Sequence, residues 1–267
     1  MNPIALAALP TQPHAAWQDA SQCRNCQATL TGAYCSTCGQ KKAVRLGTHT
    51  VRTEAWGNLR WFDMEMVRSA WRLVRRPGNV AREYVMGARQ SHVHPLKLLL
   101  TALGLHLLLL TQTQYLTPQG ASQEALRAFE LLRTYSKGSF SLGIVAIFAS
   151  AWTVFRKRCG DNATEILTLA IYVHFLAICL QACNQLPLLA WHSAEVLRWH
   201  RHWSPYYMNA LQTLVVVVAF RQFFALDGRR HLHLLALAAV LYSAGKWAVA
   251  QLYARLVVEL VMWQTSH

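Results

Sequence analysis

From residue 95 to the C-terminus the chain alternates between long apolar runs and short basic or aromatic breaks. The runs predict helices over 95–116, 138–155, 164–186, 205–224 and 232–262, each near or above the roughly 18 residues that cross a bilayer. Ahead of them the pattern changes. Over 52–75, Ala55, Leu59, Phe62, Met66, Ala70 and Leu73 recur at steps of three or four, which predicts one apolar face of a helix. Arg60, Arg68, Arg72, Arg75 and Arg76 supply its charge, with Trp56, Trp61 and Trp71 among them. Pro77-Gly78 ends that helix. A shorter one is expected from about Asn79 to Arg89. His92-Val93-His94-Pro95 then leads into the first span in extended form, because the residue before proline avoids the helical region.

The predicted fold class is an all-α membrane protein, with about five transmembrane helices preceded by a small cytoplasmic zinc ribbon and an amphipathic helix. The expected organisation is a flexible tail over 1–20, the ribbon over 21–42, basic amphipathic helices at the membrane surface over 50–94, and the helical domain over 95–267. The loop 117–137 is expected to be a short surface helix with Ala125, Phe129 and Leu132 on one side. The loop 187–204, rich in Trp and His, is expected at the interface.

Composition fits that layout. The 267 residues are 54% hydrophobic and only 14% charged, against roughly 25% in soluble domains. Lys and Arg outnumber Asp and Glu by 26 to 12. Nineteen of the basic residues fall at or before Lys97, in 156–158 or around 221–230, and five fall in the opposite loops. The positive-inside bias therefore puts the N-terminus in the cytoplasm. The start, MNPIALAALPTQP, lacks a basic segment and a long enough apolar run for a secretory signal. Nucleic-acid binding is not expected, because no binding motif accompanies the arginines. Basic residues with tryptophan on an amphipathic helix suit an anionic headgroup layer, or the underside of the membrane domain.

Four of the seven cysteines form Cys23-Arg-Asn-Cys26 and Cys35-Ser-Thr-Cys38, with eight residues between the two motifs. Each two-residue gap lets both sulfurs of a turn reach one ion, so Cys23, Cys26, Cys35 and Cys38 are expected to hold structural Zn²⁺. CxxC is also the thioredoxin signature, but the strand and helix that go with it are missing here. Four cysteines leave no open position on the metal, and so small a unit draws its folding energy from the ion. Cys159, Cys179 and Cys183 sit in apolar surroundings and read as packed thiols.

Ionisable groups inside a span are default functional candidates. His106, His174 and Lys246 lie near mid-depth on three spans and are the candidate intramembrane polar site; the alternative is hydrogen bonding between helices. His192, His200 and His202 crowd the second outer loop among Trp191, Trp199 and Trp203, where interface anchoring is the simpler account. No Walker, GxSxG, HExxH or Rossmann pattern is present, and no catalytic residue is assigned.

The paired CxxC knuckles, the basic helix, Arg76-Pro77-Gly78, Glu83-Tyr84-Val85, Gly87, Arg89 and Pro95 together resemble a widespread bacterial family of membrane proteins classed as a domain of unknown function. A basic turn leading to Glu165 and a His-bearing third helix continue the resemblance. It implies a multi-pass inner-membrane protein with a cytoplasmic ribbon, and it brings no established activity. Family members often carry His after the glutamate and two His separated by one residue in the third helix. Here Ile166 and Tyr172 take two of those places and His174 remains. The functional expectation is a non-enzymatic membrane protein that shows its zinc ribbon to the cytoplasm as an adaptor or scaffold, with the bilayer, anionic lipid headgroups and a cytoplasmic protein as partners. The alternative is a small transporter or membrane enzyme for an anionic solute or lipid headgroup.

Overall fold

The computed structural model describes residues 9–10, 17, 21–50, 64–113, 141–191 and 193–266. Its named elements are helices: α1 Met64–Arg75, α2 Pro77–Val85, α3 Pro95–Gln112, α4 Leu142–Cys159, α5 Ala163–Gln185, α6 Pro187–Ala190, α7 Ala194–Phe223 and α8 Leu232–Ser266. Among the described residues there is no strand; the cysteine region holds two isolated antiparallel bridges, Gln22 with Thr29 and Tyr34 with Lys41. The first half of the predicted amphipathic helix and the predicted surface helix over 117–137 lie outside the described residues.

Among the described residues, three helices are long and apolar enough to cross a membrane: Pro95–Gln112, Ala163–Ala190 and Leu232–Trp263. The other two expected spans fall on α4 and α7. Both are helices, but α4 carries Arg156-Lys157-Arg158 and α7 carries Asn209 and Gln212. Several boundaries differ from the periodicity. The second short helix begins at Pro77, because proline fits the first turn, where its missing N–H has no partner to lose. Within 187–204 the chain forms α6 and the start of α7: Ser193 caps α7 by accepting from the Val196 N–H, and that helix runs on through Pro205.

The core forms around α5. Two thirds of its most apolar window is buried, against 17% for α8. Ile166, Leu169, Ala170, Tyr172 and Val173 are all fully covered. An Asn162–Glu165 capping box starts α5: Asn162 Oδ1 accepts from the Glu165 N–H at 2.9 Å, and Glu165 Oε2 accepts from the Asn162 N–H at 2.7 Å. Tyr172 donates its hydroxyl to Val93 O at 2.8 Å and meets Tyr84 edge-on. Phe155 stacks on Phe224 at 4.4 Å and meets Phe220 edge-on, locking the end of α4 to the end of α7. Gly78 marks the crossing of α2 over α7. Its N–H donates to Gln222 Oε1 at 2.9 Å, and a Cβ there would lie 2.0 Å from Ala219 O. α1 buries Met66 and Leu73, as its period predicts, and leaves Val67, Trp71 and Val74 exposed. Exposed leucines, valines and tryptophans also line the outer faces of α3, α7 and α8.

Candidate functional site

The two CxxC turns repeat one backbone design twelve residues apart. Cys23 N–H donates to Ala28 O and Cys35 N–H donates to Gln40 O, at 2.8 and 2.9 Å. Gln27 N–H returns to Cys23 O as Gly39 N–H returns to Cys35 O. The residue after each second cysteine is left-handed, Gln27 at φ 64° and Gly39 at φ 71°. Repetition faces the two turns toward one point. The Cys23 and Cys38 sulfurs lie 3.6 Å apart and those of Cys26 and Cys35 lie 3.5 Å apart. All four sulfurs fall within 4.8 Å of one another, and none is in a disulfide. A tetrahedral ion with bonds of about 2.3 Å holds its sulfurs about 3.8 Å apart, so the donor set fits such an ion.

The ring of sulfurs also sets the protonation. The Cys38 backbone N–H, helped by that of Thr37, holds the Cys35 thiol down to about 6. The Ala28 N–H pulls Cys26 the same way, but burial and the three neighbouring sulfurs push it up to about 12. Burial raises Cys23. An ion that binds all four must therefore displace protons, and its affinity rises with pH.

The knuckles are fastened to the turn between α2 and α3 by two side chains. Gln40 donates through Nε2 to Gly87 O at 2.7 Å and accepts through Oε1 from the Arg89 and Gln90 N–H groups, each at 3.0 Å. Asn25 Oδ1 accepts from the Ser91 N–H at 3.0 Å and from its hydroxyl. Gly87 makes room for this: it sits at φ 109°, and a Cβ would come within 2.8 Å of Ala43 Cβ. Trp17 adds an Nε1 donation to Met86 O and stacks under Arg24 at 3.7 Å. Nothing in the periodicity singles out Asn25 or Gln40, whose partners lie 47 to 66 positions away.

The chain leaving the knuckles is tied to the far turn of the bundle. Arg45 Nε donates to Glu165 Oε1 at 2.9 Å, and a second guanidinium nitrogen donates to Gly160 O at 2.8 Å. Asn162 Nδ2 reaches Leu46 O at 2.9 Å. Glu165 is fully buried, while the Arg45 side chain is 41% exposed. Burial, with the Glu165 charge close by, pushes neighbouring Asp161 up to about 7. The knuckles, the α4–α5 turn and, through the Gly78 crossing, the end of α7 thus share one end of the bundle. The basic segments 156–158 and 221–230 lie at that end.

His174 and Lys246 line one cavity of about 450 Å³, bounded by α4, α5, α7 and α8. Lys246 Nζ donates to Gln212 Oε1, and the buried Gln212 amide donates onward to Ala177 O. His106 is buried on α3 but is not among the residues lining that cavity, so equal depth along the sequence did not make the three converge. Of the outer histidines, His200 bonds to Asn184 O at 3.1 Å and His202 meets Trp203 edge-on; His192 lies outside the described residues. Among the described residues, Cys23, Cys26, Cys35 and Cys38 form the group of ligand atoms close enough to share a metal.

The model of a family described as "Protein of unknown function (DUF3667)" matches residues 63–106. The match takes in α1, α2, the turn that receives Gln40 and Asn25, and two thirds of α3. No curated protein and no solved structure matches the chain.

Proposed function

We propose that this is a non-enzymatic multi-pass protein of the bacterial inner membrane, and that it carries a structural zinc knuckle fixed to the cytoplasmic end of five membrane helices as a scaffold for a cytoplasmic partner. The observation that carries the reading is the two-faced knuckle. Asn25 and Gln40 clamp one face to the 87–91 turn, while the other, from Thr31 to Tyr34 with Ser36 and Thr37, stays exposed, Tyr34 at 63%. Four sulfurs close the coordination shell, which suits a structural ion and leaves no position for a substrate.

Five passes are favoured by the shared end. If α3, α5 and α8 cross, α4 and α7 must return the chain to the knuckle side each time. The basic segments gathered there agree with a cytoplasmic knuckle. Headgroup contact is supported by the exposed Val67, Trp71 and Val74 on α1, with Arg75 stacked over Trp71 at 4.6 Å. It is further supported by a crevice of about 400 Å³ at the knuckle seam, lined by Lys41, Lys42, His49, Arg89, His92 and His94.

The test is crosslinking capture from intact membranes with the full chain, comparing wild type, Tyr34→Ala and Cys35→Ser. A specific cytoplasmic protein captured by wild type and lost from both variants is the expected outcome. Identical capture by all three would end the scaffold reading.

A further inference from the structure

The cavity beside Lys246 has a polarity that runs lengthwise. Its α8 wall extends from Tyr242 to Val258, about 24 Å at 1.5 Å per residue. Tyr242, Lys246, Gln212 and His174 supply polar groups toward one end. Beyond Lys246 the α8 wall is Ala250, Ala254, Val257 and Val258, broken by Tyr253, with Gln181 two turns past His174 on α5. No Asp or Glu lines it among the described residues, and the Lys246 ammonium is met by a neutral amide. A cation in an apolar helix without a counter-charge is costly, and residues of this kind mark ligand paths or sites.

The polar end is also built. Gln212 is buried and spans two helices, donating to Ala177 O while accepting from Lys246, so its oxygen is fixed toward the ammonium. Gly143 on α4 leaves the space taken by the His174 ring; a Cβ there would lie 2.6 Å from the ring's Cε1. A volume of about 450 Å³ falls within the range of small-ligand cavities.

We propose that this cavity is a binding site for an anionic amphiphile. Its carboxylate or phosphate pairs with Lys246, and its hydrocarbon lies along Ala250, Ala254 and Val258. An ammonium met by a neutral amide, with no carboxylate lining the cavity among the described residues, selects an anion, and the apolar wall beyond it selects an acyl chain over a free ion.

The experiment uses the full chain in a non-ionic detergent, loaded separately with phosphatidylglycerol, oleate, inorganic phosphate and acetate, with retained ligand counted by native mass spectrometry. Wild type and Arg255→Met, which removes a charge outside the cavity, should retain phosphatidylglycerol or oleate. Lys246→Met should retain about tenfold less or lower still. Ala250→Trp, which keeps every charge but fills the apolar wall, should lose it as well. Only fractions that elute as wild type and keep their metal are compared. Undiminished retention by Lys246→Met, or equal loss from Arg255→Met, would overturn the site. Inorganic phosphate or acetate bound as tightly as the amphiphiles, with no effect of Ala250→Trp, would overturn the acyl-chain assignment.

Discussion

The knuckle seam and the α5 bundle are held together in opposite ways. The bundle rests on many interchangeable apolar contacts: Ile166, Leu169, Val173 and their neighbours bury surface against whatever packs there. The seam rests on a few directed ones. Gln40 serves three backbone groups, Asn25 serves Ser91, and Arg45 answers one buried carboxylate. Removing one part of the seam should therefore strand identifiable polar groups, while the bundle should give way by degrees.

For the proposed zinc knuckle, the most disruptive break is loss of the ion. Cys35→Ser with Cys38→Ser should take bound zinc from one per chain to none, measured by elemental analysis. A structural zinc contributes about 10–16 kcal/mol in isolated knuckles, so local order over 23–46 should go with it while bundle helicity stays. Phe220→Ala is the opposite break. It opens the contact with Phe155 and Phe224, should cost about 3 kcal/mol in thermal or denaturant unfolding, and should leave zinc content unchanged. Arg45→Met leaves Glu165 buried without its counter-charge and should cost about 3 kcal/mol, with Arg45→Lys recovering part of it. Gln40→Ala strands the Gly87 carbonyl and two N–H groups. It should cost about 2 kcal/mol at the seam, visible as faster proteolysis near 40–46 with the metal still bound.

The mildest break depends on pH. Asp161 loses its proton at about 7 in the folded chain, well above the ordinary 3.8, because burial disfavours its charge. The folded state then binds a proton that the unfolded chain has already released, so stability falls as pH rises from about 4 to about 7 and is flat above. Asp161→Asn should raise the melting temperature by a few degrees at pH 8 and by nothing near pH 4.

What the sequence made legible follows the same division. Apolar burial leaves a periodic trace, so the helices and the candidate spans on α3, α5 and α8 could be read in advance. The seam leaves none. Asn25 and Gln40 look like ordinary turn residues, and Arg45 stands 120 positions from Glu165. Gly78 and Gly87 were visible as a motif, but their reasons, the α7 backbone and the Ala43 methyl, exist only after folding. Pro205 suggested a helix start but lies inside α7, a place where proline costs a helix one hydrogen bond. His174 and Lys246 line one cavity that His106 does not, since depth along a helix says nothing of which way its faces turn.

The metal proposed for the four cysteines would hold the knuckle and the 87–91 turn together as one unit on the helical bundle. Hydrogen–deuterium exchange of the full chain in lipid nanodiscs, before and after chelation, tests it directly. The amides of 23–46 and of Gly87, Arg89, Gln90 and Ser91 should lose protection together on metal removal, while 166–178 keep theirs. Protection at 89–91 that survives with the metal gone would contradict the account.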